Sequence, residues 1–153
     1  MSLFLFIEAA KNNAKIYGVE DRIEFLVGDY FKIAPSLKPD VVFLSPPWGG
    51  PGFGKVGIFD IKTMLPLDGV KIFQTALEIS NKIAYYLPKN TSEQQLRSLT
   101  GATGDDVHTI FKDNWITKRC IAKTAYFWPL VLKPHPEVKV IRNRFSIEYE
   151  YEL

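Results

Sequence analysis

From residue 4 to residue 87 the apolar residues switch repeatedly between helical spacing and short unbroken runs, and this alternation constrains the fold most. Ala10, Ala14 and Tyr17 recur at helical spacing, which predicts a helix over 4–17 with Gly18 to end it. Arg22 to Val27 reads as a short strand, stopped by Gly28-Asp29. A brief helical turn follows, then a loop at Pro35, Lys38 and Pro39. Val41 to Leu44 is apolar without alternation, which predicts a central strand covered on both faces. It stops at Ser45-Pro46-Pro47-Trp48. Residues 49–57, with five glycines and one proline, are a loop by composition. Asp68-Gly69 precede a helix over about 70–81 that places Ile72, Ala76 and Ile79 on one face. Ile83 to Leu87 is a further strand, ended by Pro88. Strand and helix in alternation predict an α/β fold, a mostly parallel sheet with helices on its faces.

The pattern then changes. Ser92 with Gln95 forms a capping box that starts a helix reaching about Leu99. Gly101 and Gly104 punctuate a turn. Residues 107–117 and 119–127 read as two strands with no helix between them, so antiparallel pairing is expected. Pro129, Pro134 and Pro136 make a stiff connector, and Phe145 to Tyr151 alternates as a half-exposed strand.

The chain has 153 residues, 46% hydrophobic and 24% charged, which is one domain's worth of chain with a core. Disordered, collagen-like and disulfide-framework chains are excluded. A net charge of +2 is compatible with a phosphate-bearing ligand without arguing for one. Cys120 is the only cysteine, and residence inside the cell is the simplest expectation. His108 and His135 have no companion ligand at metal spacing, so no metal site is expected. The start of the chain does not read as a signal peptide, and no apolar run is long enough to span a membrane.

Two glycine strings are misleading. Gly52-Phe53-Gly54-Lys55-Val56-Gly57 spells a dinucleotide fingerprint but lies several residues past its strand, with no acidic residue closing a second strand. Gly49 to Lys55 approaches a phosphate-binding loop, yet Val56 stands where a hydroxyl must meet Mg²⁺.

Ser45-Pro46-Pro47-Trp48 is the informative site. In open α/β sheets ligands sit beyond the carboxyl ends of strands. Two prolines fix φ twice and supply no backbone donors, which leaves carbonyls to face a ligand. A planar amine could donate to Ser45 and to the Pro46 carbonyl while Trp48 stacks on its ring. A proline-rich turn beside a core tryptophan is the structural alternative.

This tetrapeptide resembles the Asn/Asp/Ser-Pro-Pro-aromatic motif of S-adenosylmethionine-dependent amino-methyltransferases. The longer string from Asp40 to Pro51 resembles one branch, the trimethylguanosine synthase family. The segments 10–18, 23–29, 59–64, 68–69, 86–90 and 124–127 are similar to that family as well. The resemblance implies transfer of methyl groups from S-adenosylmethionine to the N2 amine of the 7-methylguanosine cap of small nuclear and nucleolar RNAs, giving 2,2,7-trimethylguanosine. It implies that Trp48 stacks on the cationic base and that Ser45 and Pro46 hold the amine for transfer. Asp29 would accept from the cofactor's adenine amine, with Tyr30 flanking it. Lys89 would face the cap phosphates, and Asn13 would touch the acceptor side. Each has a plain alternative: Asp29 a cap for the next turn, Lys89 a solvated charge, Asn13 a structural asparagine. A nuclear or cytoplasmic location and a capped RNA partner follow from the same resemblance.

The resemblance begins at the helix after the family's second strand. The glycine-rich loop and the ribose-binding carboxylate of the first two strands have no counterpart in the chain. The expected fold is therefore a partial Rossmann-like methyltransferase lacking those strands, over 1–128, with a C-terminal β extension of unknown role over 129–153. The family's strand order, third-second-first-fourth-fifth-seventh-sixth, would leave the Val41–Leu44 strand at an open edge. Either strand 22–27 moves in beside it or copies of the chain exchange segments, with strand 145–151 a candidate for exchange. The second functional reading is a catalytically incomplete fragment that acts at most as a cap- or RNA-binding module. Action on another nucleic-acid base is a third, opposed by tryptophan at the fourth motif position.

Overall fold

The computed structural model describes residues 3–48, 57–63, 66–101, 107–129, 138–142 and 147–151. The glycine strings of 49–56, the turn at Gly104 and the connector over 130–137 lie outside the described residues.

Helix α1 spans Leu3–Ile16. Gly18 ends it at φ 65°, donating to the Lys15 carbonyl while Val19 donates to that of Ala14. This pair of bonds satisfies carbonyls that the last helical turn would leave open. The strand expected over 22–27 does not form. Residues 20–22 are a 3-10 turn and 23–27 have no regular structure, with Leu26 and Val27 51% and 56% exposed. A strand exists only through hydrogen bonds to a neighbour, and among the described residues none pairs with this segment. The idea that it moves in beside Val41–Leu44 falls with it.

Helix α2, Tyr30–Ile33, is the expected brief turn, and Asp29 caps it by accepting from the Phe31 N–H at 3.0 Å. Strand β1 is Val42–Leu44. Helix α3, Gly69–Leu77, starts at Asp68, whose carboxylate accepts from the Val70 and Lys71 N–H groups. It stops short of the expected residue 81 because the chain must turn into the sheet. The Ser80 hydroxyl donates to the Asp40 carbonyl at 3.0 Å and fixes that turn. Strand β2 is Ile83–Pro88 and helix α4 is Glu93–Ser98. Strands β3, Val107–Ile116, and β4, Arg119–Pro129, form a hairpin. Strands β5, Val138–Arg142, and β6, Ile147–Tyr151, form a separate antiparallel pair.

The main sheet runs β1-β2-β4-β3, with β1 parallel to β2 and β4 antiparallel to both its neighbours. That is the order expected of the family's last four strands. Register places Leu44, Tyr85, Ala125 and Phe111 in one row and Val42, Ile83, Phe127 and Thr109 in the next row on that face. This face carries the core under α3 and α4: Phe73 stacks on Tyr85 at 6.4 Å and tilts onto Phe127 at 4.4 Å. Each such buried aromatic stabilises by roughly 2–3 kcal/mol. The row between them, Phe43-Ala84-Tyr126-Ile110, points the other way. Strand β1 is thus covered on one face rather than two: Leu44 is buried and Phe43 is 64% exposed. It ends the sheet, and its apolar run reflects an outer face that no described element covers.

Candidate active site at the carboxyl end of the parallel strands

Strands β1 and β2 run parallel with Leu44 opposite Tyr85, so both chains leave the sheet on the same side. Ser45-Pro46-Pro47-Trp48 leaves from β1, and Lys89-Asn90 leaves from β2. Trp48 is half-buried and stacks on Tyr86, centroids 5.3 Å apart and planes 29° from parallel. Tyr86 in turn meets Phe43 at 6.3 Å. An indole held on one face by a neighbouring ring loses little rotamer freedom when its other face takes a ligand.

The Lys89 turn is tied down. The Thr91 N–H and hydroxyl both donate to the Pro88 carbonyl, at 3.0 and 2.8 Å. The Phe59 N–H donates to the Asn90 carbonyl at 3.0 Å, and Phe59 bridges Thr91 as a short parallel contact. Lys89 itself is exposed, as is Ser45.

Asp29 caps α2, and Tyr30 packs against the same core cluster as Trp48 and reaches α3. The Tyr30 hydroxyl donates to the Ile72 carbonyl at 3.1 Å, and burial, with Glu78 nearby, raises its pKa. Tyr85 is held the same way by the Gly69 carbonyl, and its burial keeps it protonated far above neutrality. Neither phenol is a base at physiological pH. Asn13 is exposed on α1, and no described contact joins it to the motif. A groove between α1 and the segment 20–25, lined by Lys11, Asn12, Lys15 and Glu20 among others, contains none of the residues singled out by the motif.

The sequence reading missed Tyr86, which backs the tryptophan. Its place next to the end of a strand, one residue before Leu87-Pro88, was the available signal. The reading also made Ser92 and Gln95 a reciprocal cap. Ser92 does accept from the Gln95 N–H at 3.3 Å, but the Gln95 side chain turns to Asp60 and Ile61 instead.

Residues 6–127 match the family model described as RNA cap guanine-N2 methyltransferase. The chain belongs to that family. It is 34% identical over 96 residues to the trimethylguanosine synthase of Schizosaccharomyces pombe, covering 59% of this chain and 40% of that protein. It is 34% identical over 100 residues to the trimethylguanosine synthase of Saccharomyces cerevisiae, covering 61% of this chain and 32% of that one. The chain therefore spans 32–40% of the length of these two curated relatives. The family match takes in the β1 motif, the Lys89 turn and the β3–β4 hairpin, and stops ahead of the β5–β6 pair.

Among the described residues no helix is long and apolar enough to cross a membrane.

Proposed function

We propose that this chain supplies the acceptor side of an enzyme that methylates the N2 amine of the 7-methylguanosine cap of small nuclear and nucleolar RNAs, yielding the 2,2,7-trimethylguanosine cap. The observation that carries this reading is the Trp48 ring, which follows Ser45-Pro46-Pro47 at the carboxyl end of β1 and is backed by Tyr86 of β2. Indole stacked on a cationic base gains about 1–2 kcal/mol when water is excluded, which favours a base already methylated at N7. In this reading the Ser45 side chain and the Pro46 carbonyl accept the amine hydrogens and aim the nitrogen lone pair. Lys89 faces the cap phosphates, and Asn13 belongs to the acceptor side. A nuclear or cytoplasmic location follows from that RNA substrate.

S-adenosylmethionine, when bound, would supply an activated methyl on a cationic sulfur. The residues present fit its adenine end. Asp29 is exposed and has acceptor capacity beyond the bond to Phe31, and Tyr30 stands beside it with its ring in edge contact with Phe31. No residue of the chain stands for the glycine-rich loop or the ribose carboxylate. The second reading is a cap-binding part without turnover of its own, and in that reading the cofactor dissociation constant of these residues is weaker than about 10 μM, or ~7 kcal/mol. We assign residues 1–128 to the methyltransferase part and 129–153 to a separate β extension.

Calorimetric titration with 7-methylguanosine diphosphate and with guanosine diphosphate tests the acceptor reading. Binding about five- to thirtyfold tighter for the methylated nucleotide is expected. Trp48→Ala should abolish the difference and Trp48→Phe should keep part of it. Equal affinities in the wild type, or equal losses from the two substitutions, would overturn the platform role.

A further inference from the structure

Gln95 occupies the helix position from which a capping box reaches back to its own cap residue, and it does something else. Its side-chain amide donates to Asp60 Oδ1 at 2.7 Å, and its carbonyl accepts from the Ile61 N–H at 3.1 Å. The same Asp60 oxygen accepts from the Lys62 N–H at 2.8 Å, and the carboxyl is held below the usual range, by Gln95 first and by that N–H next. The Ile61 carbonyl accepts from the Gly69 N–H at the start of α3. Phe59 and Ile61 are buried in the core, and the Phe59 N–H donates to the Asn90 carbonyl, next to Lys89. One glutamine thus joins α4 to the strip 59–62, and that strip is bonded to the turn that leaves β2. Giving up a local cap for a contact 35 residues away in sequence costs helix stability unless the distant geometry matters.

We propose that Gln95 is a positioning residue: by pinning residues 59–62 against the turn after β2, it sets where Lys89 presents its ammonium. The assignment rests on the reading of this end of the sheet as a cap-nucleotide site, and it concerns the phosphate side of that site, not the base platform.

The test compares 7-methylguanosine diphosphate with the 7-methylguanosine nucleoside, which lacks phosphates. Gln95→Ala should weaken diphosphate binding about three- to fivefold, the contribution of an exposed ion pair, and leave nucleoside binding within a factor of about two. Gln95→Glu sets two carboxylates face to face and should weaken it at least as much. Asp60→Asn keeps an acceptor oxygen toward both Gln95 and the Lys62 N–H and should stay within about twofold of wild-type binding. Equal losses for nucleoside and diphosphate in Gln95→Ala, or a loss in Asp60→Asn as large as in Gln95→Glu, would overturn the proposal. Hydrogen exchange gives a readout without ligand: the Phe59 and Ile61 amides should lose protection in Gln95→Ala and keep it in Asp60→Asn. If the wild type binds neither compound, the cap-site reading fails, and unchanged exchange at Phe59 would separately refute the pinning.

Discussion

Lys123 enters the helix-covered side of the sheet with its side chain only 11% exposed, and its charge survives because two carboxylates meet it at the rim. Burial works against the ammonium, but the hydrogen bond to Glu93 at 2.5 Å and the Asp113 carboxylate at 3.4 Å outweigh it and raise the pKa from 10.5. A group whose pKa rises on folding stabilises fully below its unfolded pKa and loses that contribution as pH climbs through the folded value. Lys123→Ala should therefore cost about 1–2 kcal/mol at pH 7, through lost packing of the stem and a lost charged hydrogen bond. Lys123→Met should recover part of this, and the gap between wild type and Met variant should close above about pH 10.5. Urea unfolding across that range measures it, and a gap that widens would refute the sign. Apolar residues fall on both faces along 119–127, so the sequence leaves the orientation of Lys123 open, and the register with β2 and β3 sets it on the helix-covered face. Only the packing of α4 over β4 shows what neutralises it.

Elements form where local preference and neighbours agree. The β3–β4 hairpin shows the two diverging, since Ile116 pairs with Arg119 and leaves Thr117 and Lys118 as the loop. Thr117 sits at φ 53°, a left-handed conformation that strains a β-branched residue by about 1–2 kcal/mol. Thr117→Gly should raise stability by about 0.5–1 kcal/mol, part of the gain being returned as unfolded-chain entropy. Thr117→Asn should do the same, and a lower melting temperature in both would contradict the strain. The hairpin was legible from its two flanking runs, although its loop lacks the Asn-Gly signature. The segment 22–27 is the opposite case. Its composition suits a strand, but local preference cannot supply the partner that a strand requires.

At the scale of the whole molecule, β1 ends the sheet with Phe43 exposed, and Ile110 in the same transverse row is 61% exposed. An apolar edge next to an apolar face is a template for association. The chain should self-associate as concentration rises, with a scattering mass above 17.5 kDa at about 100 μM. Phe43→Lys should move the mass toward the monomer by placing a charge on that face. A constant monomer mass over the whole range would dismiss the edge as an interface. The exchange of strand 145–151 between copies is one form this association takes in our reading. The observed β5–β6 pairing within one chain is the competing arrangement that such an exchange must open.

Local signals settled what short-range physics settles: the Asp29, Asp68 and Ser92 caps, the Gly18 stop, and the strand that ends in Ser45-Pro46-Pro47-Trp48. Each depends on hydrogen bonds or steric limits that reach only a few residues along the chain. The motif's resemblance added the order of the four strands, which no local rule contains. Tertiary structure alone decided that Tyr86 backs Trp48, that Gln95 leaves its own helix for Asp60, and that β1 has one covered face. Those outcomes hang on contacts between segments 35 or more residues apart, and an apolar or amide side chain carries no mark of which distant partner will meet it.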